Sequence, residues 1–484
     1  MAKLSPSPRT DPAALEYCRT RQAHFDAQAR LRDSRRGWGG LYHRRLQHVY
    51  RFLVSPGQRV LEIGCGDGDL LAALEPSEGL GVDFSAGMVE RAAKLHPNLR
   101  FLQVDAHDLT ALDGEFNVII LSDTVNELWD VQAVLEQARR LSGPRTRFIV
   151  NYYSHLWEFP LSQAQRLGLA TSRLDQNWLT NEDLANLLHL AGFDVLRRWQ
   201  EMLWPLPFPL LEPLCNRFFV RLWPFREMAL ANFVIARPLT DCREAKPSVS
   251  VIIPARNEAG NIPAIFERLP EMGCMTELIF IEGHSGDNTA TVIEQEIARH
   301  PERRCRFLRQ PGTGKADAVR LGFAHATGDI LMILDADLTV SPEDLPRFYT
   351  ALVSNKGEFI NGVRLVYPME RQAMRSFNLL GNKFFSLAFS WLLGQPLKDT
   401  LCGTKALWRS DYEKIAANRA YFGDFDPFGD FDLLFGAAKL NLKITDLPIR
   451  YRERTYGTTN IQRWKHGMLL LKMVWFAARR LKFI

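Results

Sequence analysis

Along this chain, short runs of apolar residues end in polar, glycine-containing loops, and the loops open onto segments whose apolar positions recur with helical spacing. The first such unit is RVLEIGCGDGDLLAAL at 59–74, and GLGVD, RFLQVDAHDL and FNVIILSD follow it with similar endings. A second series begins with VSVIIPARNEAGNIPAIF at 249–266 and continues through ELIFIEGHSGDNT and GDILMILDADL. Continuous apolar runs alternating with helices predict strands buried in mostly parallel sheets, with helices on both faces. Each half therefore reads as an α/β domain. Between them, RPLTDCREAKPS at 237–248 is polar, holds two prolines and shows no period, which reads as a linker. The pattern predicts a helical, arginine-rich arm at 1–39, a first domain at 40–237, a linker at 238–247, a second domain at 248–463 and a closing helix at 464–484.

Length agrees with two domains, since 484 residues exceed one ordinary core. With 46% hydrophobic and 24% charged residues, and no low-complexity tract, both halves can build packed interiors. A formal charge of +5 calls for no nucleic-acid partner and suits anionic substrates or membrane surfaces where it clusters. Seven cysteines without a C-x-x-C pair argue against a disulfide framework or a zinc site and for a reducing, cytoplasmic setting. The N-terminus MAKLSPSPRTDPAALEYCRT lacks the apolar stretch of a signal peptide, and no window reaches the ~18 apolar residues of a spanning helix. The expectation is a soluble protein or one bound at the cytoplasmic face of a membrane.

In the first half, Gly64, Gly66 and Gly68 follow a strand and precede an apolar helix. Small residues there let backbone approach a ligand, and the helix start offers free N–H groups. Such a loop alone also suits dinucleotides or a plain turn. The acids that follow narrow the choice. Asp83, Asp105 and Asp123 end three successive strands, on the rim where open α/β sheets bind ligands. The stretch 40–237 resembles the class I S-adenosylmethionine-dependent methyltransferases, whose sheet is Rossmann-like. The resemblance implies that Glu62, Gly64, Gly66 and Gly68 hold the methionine part of the cofactor, that Asp83 binds the ribose, and that Asp105 and Ala106 lie by the adenine. Methyl transfer chiefly needs alignment, and a weak nucleophile also needs a base, for which Asp123 and His155 are the candidates. The segment MLWPLPFPLLEPLCNRFFVRLWPF at 202–225 is apolar, aromatic and proline-broken, and can cover an acceptor pocket, touch lipid or pack between domains.

The second half carries denser signals. Two nucleotide-type loops precede an apolar strand ending in Asp335-Ala336-Asp337. Two carboxylates flanking one residue can hold a hard divalent cation, Mg²⁺ or Mn²⁺, that neutralises a diphosphate leaving group. Residues 246–465 resemble the family 2 inverting glycosyltransferases of GT-A fold that include dolichyl-phosphate mannose synthase and bacterial polyprenyl-phosphate sugar transferases. By that resemblance Pro254, Arg256, Glu258 and Asp287 line the nucleoside site, Lys315 and Asp317 the pocket beside it, and Asp335 and Asp337 the metal. Asp399, Gly403 and Lys405 in KDTLCGTKALW match an acceptor-side motif. Asp430 and Asp432 match the family's acceptor-side carboxylate pair, and Arg454 a loop that closes over the phosphates. Where many relatives have two adjacent acids, this chain has Glu282-Gly283, so a UDP- and a GDP-linked sugar both stay open as donor. IQRWKH at 461–466 has the wrong spacing for the Q-x-x-R-W of processive synthases.

The last segment adds a membrane expectation. Lys465, Lys472 and Arg479 recur every seven residues, while Trp464, Met468, Leu471 and Trp475 share a helical face. A basic, aromatic, apolar-faced helix suits the membrane interface, and KFFSLAFSWLLG at 383–394 is a second apolar segment. The acceptor expected is accordingly a lipid phosphate. The reading as a whole is a bifunctional enzyme. Its competitors are a glycosyltransferase with a non-catalytic cofactor- or partner-binding first domain, and a membrane scaffold without activity.

Overall fold

The computed structural model describes residues 12–31, 39–167, 174–239, 246–364, 366, 376–419, 430–452, 454, 456 and 463–483. Apart from its last residues the chain divides into two compact units, Met1–Thr240 and Asp241–Lys482. Both are mixed α/β, each around a seven-stranded sheet.

The strands of the first unit are β1 (Arg59–Ile63), β2 (Glu78–Asp83), β3 (Arg100–Gln103), β4 (Phe116–Ser122), β5 (Ser142–Tyr153), β6 (Phe193–Glu201) and β7 (Ala231–Pro238). They lie in the order β3-β2-β1-β4-β5-β7-β6, with β7 antiparallel to both neighbours. Because the order reverses between β1 and β4, a crevice opens at their carboxyl ends. Side chains alternate between two apolar layers, as a strand covered on both faces requires. Leu61, Ile63, Ile119 and Leu121 enter one layer, and Val60, Val118 and Ile120 the other. The second layer is completed by the helix Gly39–Leu53, which buries Leu46, Val49, Tyr50 and Leu53 there. That helix is core of the first domain. The arm proper is the preceding helix Pro12–Leu31.

In the second unit the strands are β8 (Val249–Ala255), β9 (Thr276–Glu282), β10 (Arg304–Arg309), β11 (Ile330–Ile333), β12 (Phe359–Val363), β13 (Lys405–Trp408) and β14 (Ile444–Pro448). Their order is β10-β9-β8-β11-β13-β12-β14, again with a reversal beside the first strand of the unit. β8, β9, β10 and β11 pair in parallel, so the loops after β8, β9 and β11 meet at one edge.

The last helix, Arg463–Ala477, has two apolar faces. Leu470, Met473 and Ala477 are buried, whereas Met468, Leu471 and Trp475 are exposed, as are Lys472 and Arg479. The side chains of Trp464 and Lys465 lie outside the described residues. The apolar segment at 383–394 belongs to the helix Ser376–Leu393, which packs on this one and exposes Phe384 and Leu387. Among the described residues no helix is long and apolar enough to cross a membrane.

Candidate functional sites

The glycine loop after β1 bends under a steric rule. Gly64 has φ +76°, and a Cβ there would collide with the Thr124 side chain, whose Oγ1 donates to the Ile63 carbonyl at 3.0 Å. Asp83, the last residue of β2, is buried and turned into this loop. Its Oδ2 accepts the Gly66 N–H at 3.0 Å and its Oδ1 the Ser85 N–H at 2.9 Å. Glu62 is 2% exposed, and its Oε2 has no hydrogen-bond partner. Burial first, and then the neighbouring Asp67 and Asp83 charges, push the Glu62 carboxyl well above the ordinary carboxylate range.

After β3, Asp105 accepts from the His107 backbone N–H at 3.0 Å and pairs with its Nδ1 at 2.8 Å. His107 Nε2 accepts the Asp130 N–H at 3.1 Å, so the ring proton sits on Nδ1 and faces Asp105. Ala106 is half-buried beside it. After β4, Asp123 adopts a left-handed backbone, φ +56°, a conformation that needs support from its surroundings. That support is a polar network: Asp123 accepts from Tyr42 Oη at 2.7 Å, Asn151 Nδ2 at 2.7 Å and Tyr153 Oη at 3.4 Å. Tyr50 Oη donates to Asn151 Oδ1 at 2.7 Å and fixes the amide's orientation. His155, the other candidate base, is exposed in the following turn.

The helix Pro12–Leu31 lies across the loops that follow β2 and β4. Asp26 Oδ1 accepts from Ser85 Oγ at 2.5 Å and Gly87 N–H at 3.0 Å, and Phe25 meets Phe84 edge-on. Arg21 pairs with Glu127 at 3.2 Å, and Tyr17 Oη donates to the Glu127 carbonyl at 3.3 Å. None of Tyr42, Asn151, Tyr153, His107 or Asp26 emerges from motif reading. The one available signal is the polar Asn151 in the otherwise buried strand FIVNYY. Asp83→Ala removes the loop's anchor together with the acceptor expected to meet ribose hydroxyls, each such bond contributing about 1.5–3 kcal/mol. Titration calorimetry with S-adenosylmethionine is expected to register at least about a tenfold loss of affinity, and equal affinities would refute the assignment.

In the second unit the loops after β8 and β9 are laced together. Asn257 N–H donates to Ser285 Oγ at 3.0 Å, Gly286 N–H to Asn257 Oδ1 at 2.7 Å, and Glu258 N–H to Thr289 Oγ1 at 3.0 Å. Asp287 accepts the Thr289 N–H at 3.0 Å and Tyr456 Oη at 3.4 Å. Glu282 caps its own loop through Ser285 N–H at 2.5 Å. Pro254 is half-buried in β8, and Arg256 is exposed at its end.

Around the D-x-D turn after β11 each carboxylate has a cation. Lys315 Nζ reaches Asp335 Oδ1 at 2.5 Å, and Arg454 reaches Asp337 Oδ2 at 2.7 Å and Glu258 at 3.5 Å. Thr339 occupies Asp337 Oδ1 through its N–H at 3.1 Å and its hydroxyl at 2.7 Å. Burial works against ionisation of Asp337, yet the Arg454 and Thr339 hydrogen bonds hold its carboxyl below the usual range. Glu258 goes the other way: burial raises it to about 7 against the pull of Arg454 and Asn261. Gly403 lies against this pair, because a Cβ there would fall on the Asp335 carboxylate and the Lys315 ammonium. Asp317 caps the preceding loop, accepting the Gly312 N–H at 3.1 Å. Among the described residues no group of three or more His, Cys, Asp or Glu side chains is arranged to hold a metal.

Other residues matched to acceptor-side motifs have partners within the fold. Asp399 is buried and bidentate with Arg364, at 2.7 Å and 2.9 Å, and also accepts backbone N–H groups from Arg364 and Leu401. Lys405 is fully buried in β13 and donates to the Cys402 carbonyl. Asp432 is buried and shared between Arg419 at 2.8 Å and Arg320 at 3.4 Å. Asp430 opens the helix Asp430–Lys439, and its side chain lies outside the described residues.

Comparison with known proteins agrees with this division. Residues 36–198 match the model of a methyltransferase domain, and residues 250–415 that of glycosyl transferase family 2. The chain carries one domain of each kind. Similar curated proteins include the undecaprenyl-phosphate 4-deoxy-4-formamido-L-arabinose transferase of Edwardsiella ictaluri, 32% identical over 46% of this chain and 64% of that protein. The corresponding transferase of Shewanella sediminis is 34% identical over 20% of this chain and 31% of its own length. Glycosyltransferase AglJ of Haloferax volcanii is 27% identical over 46% of this chain and 69% of its own. The chain thus spans between 31% and 69% of these relatives' lengths. Among solved structures, an S-adenosylmethionine-dependent methyltransferase from Mesorhizobium loti covers 39% of this chain and 95% of its own at 17% identity, TM-score 0.31. Glucosyl-3-phosphoglycerate synthase from Mycobacterium tuberculosis covers 49% and 80% at 19% identity, TM-score 0.35.

Proposed function

We propose that this chain is a bifunctional transferase. Its second domain moves a sugar from a nucleoside diphosphate to a polyprenyl phosphate, and its first domain moves a methyl group from S-adenosylmethionine. The observation that carries the sugar-transfer reading is the convergence of Glu258, Lys315, Asp335, Asp337, Gly403 and Arg454, drawn from five separate stretches of sequence, at one sheet edge. Two carboxylates and two flanking cations form a donor set suited to a diphosphate and a divalent ion, Mg²⁺ or Mn²⁺. Asp335 and Asp337 would hold that ion, which supplies charge neutralisation of the departing diphosphate. Lys315 and Arg454 then meet the phosphate oxygens, and the loop bearing Arg454 and Tyr456 closes the site.

An acceptor phosphate is already ionised near neutral pH and needs little help from a base. Its oxygen bonds to the anomeric carbon as the bond to the diphosphate breaks. Asp432 fits this chemistry as the group that orients Arg320 and Arg419, whose guanidinium forks match a phosphate. The names of the undecaprenyl-phosphate relatives support a lipid acceptor. So does the exposed apolar face of Phe384, Leu387, Met468, Leu471 and Trp475, fringed by Lys472, Arg479 and Arg480, which suits an interfacial seat.

In the first domain the unpartnered, buried Glu62 Oε2 and the acids around it suit the positively charged methionine end of the cofactor. Asp83 suits the ribose, and Asp123 the proton of a weak acceptor nucleophile.

The deciding measurement is nucleotide release by purified protein from a panel of UDP-, GDP- and dTDP-sugars, with and without polyprenyl phosphate. Release from one nucleotide class that rises at least about tenfold with the lipid is the expected result. Release indifferent to the lipid would move the acceptor to a soluble molecule, and no release from any donor would sink the reading.

A further inference from the structure

β6 and β7 of the first domain are joined by an excursion over residues 202–230. It is closed at its root, where the Leu230 N–H donates to the Met202 carbonyl at 2.8 Å. Asn216, buried inside it, accepts the Trp204 N–H and donates back to the Trp204 carbonyl, both at 2.8 Å. The excursion is thus a built element, yet its outer surface is apolar. Phe208, Leu210, Leu214, Trp223 and Met228 all face solvent, Leu210 at 85% and Trp223 at 75% exposure. Trp157 Nε1 donates to the Met228 carbonyl and brings alongside the start of the helix Glu158–Arg166, whose Phe159 is also exposed. Prolines 205, 207, 209, 213 and 224 keep its elements short, the longest being the seven-residue helix Leu211–Arg217. Exposed apolar side chains clustered on one element mark an interaction site.

Its flank is basic. The buried Glu201 at the root pairs with Arg221 of the excursion at 2.6 Å and with Arg45 of the helix Gly39–Leu53 at 2.9 Å. That helix, GGLYHRRLQHVYRFL, contains no acid, and it exposes His43, Arg44, His48 and Arg51. Burial and then Arg45, with Arg217 of the excursion adding to them, hold the His48 ring below its usual value, so the charge of this flank comes from Arg44, Arg51 and Arg217. Projecting aromatic and aliphatic tips beside a cationic strip complement an anionic bilayer, whose interior takes the tips while its headgroups take the charge.

The sheet register sets this surface beside the methyl-transfer site. Glu201 pairs with Ala231, and Ala231 pairs with Tyr153. Tyr153 stacks on Tyr42 and donates to Asp123 at 3.4 Å. The excursion therefore leaves from the same carboxyl edge as the cofactor loop, within a few strand spacings of about 4.8 Å each.

We propose that residues 203–228 seat the first domain on an anionic lipid bilayer, and that the methyl acceptor is a hydroxyl or amine carried on a membrane lipid. The acceptor part rests on the methyltransferase reading of this domain; the docking part does not. In the transfer, the acceptor heteroatom bonds to the methyl carbon as the carbon–sulfur bond breaks, and Asp123 takes the released proton.

The test uses the full chain with benzoylphenylalanine in place of Trp223, irradiated with phosphatidylcholine vesicles with or without phosphatidylglycerol. A phospholipid adduct that needs phosphatidylglycerol and fades with salt is the expected result. In parallel, Leu210→Glu/Trp223→Glu is expected to lower vesicle co-sedimentation by about tenfold or more, with an unchanged urea-unfolding profile as the check on folding. Trp475→Glu serves as the comparison for the second domain. Loss of sedimentation in Trp475→Glu alone, with no lipid adduct at 223, overturns this proposal and leaves the sugar-transfer reading standing. An adduct to a second copy of the chain overturns it in favour of a dimer face. With docking upheld, methyl incorporation from labelled S-adenosylmethionine into the organic phase of membrane extracts supports a lipid-borne acceptor, and incorporation confined to the aqueous phase overturns that part.

Discussion

Replacing Asp337 by Ala, or removing divalent cations with EDTA, is expected to lower sugar transfer by about a hundred- to a thousandfold. A departing nucleoside diphosphate concentrates negative charge on a few oxygens, and Lys315 and Arg454, paired with Asp335 and Asp337, are the cations proposed to meet it. Asp337 bears on that charge in two ways. It would hold the metal, and its Oδ2 positions Arg454, which then also loses its anchor in the variant. The two effects can be separated. Arg454→Gln removes the cation while leaving Asp335 and Asp337 for the metal, and should weaken donor binding without changing the Mn²⁺ requirement. Asp337→Asn, whose one amide oxygen can still accept from Thr339 while its –NH₂ faces Arg454, should in addition need a much higher Mn²⁺ concentration for turnover. Nucleotide release from the preferred donor, followed over a metal titration, reads both numbers. Enzyme that keeps most of its rate after EDTA would leave Lys315 and Arg454 as sufficient and refute the metal assignment.

The parts of the fold set by local pattern were legible in the chain. Val60–Ile63 and Val249–Ile253 are apolar except for Glu62 and Ser250 because both faces of a central parallel strand are covered, and such runs fix where the sheets lie. The placement of Asp83, Asp105 and Asp123 at or just after the ends of β2, β3 and β4 was legible as well. Partner identity was less legible, because long-range pairing leaves no periodic trace. Asp399 stands inside a motif that points to the acceptor, but Arg364, thirty-five positions earlier, takes both of its oxygens. Asp432 is likewise turned from a free carboxylate into a hub by Arg320 and Arg419. The Asp123 network was hidden for the same reason: Tyr42 arrives from a helix eighty-one positions away. At the C-terminus the stripe of Met468, Leu471 and Trp475 does face outward, but the inward face of Leu470, Met473 and Ala477 weakens the helical period from which it was read.

Asp399→Ala is expected to destabilise the second domain by about 3–5 kcal/mol, because it strands the Arg364 guanidinium in the protein interior. Burial disfavours ionised Asp399, but its bonds to Arg364 outweigh that and hold the carboxyl below its usual range. A carboxylate depressed in this way contributes stability above its unfolded value, near pH ~4, and loses it as pH falls through the folded value. The wild-type domain should accordingly weaken as acid is added below about pH 4, and the variant should show less of that weakening. Urea unfolding followed by a signal specific to the second domain measures both, since a chain of two domains has no single transition. A second pair of variants guards against a trivial collapse. Arg364→Met should be strongly destabilising alone, while Asp399→Leu with Arg364→Met should recover much of the loss, as apolar replacement of a buried ion pair commonly does. Should Asp399→Ala keep the wild-type unfolding midpoint and lose only turnover, the ion pair would be incidental and Asp399 would return to the acceptor side of the reaction.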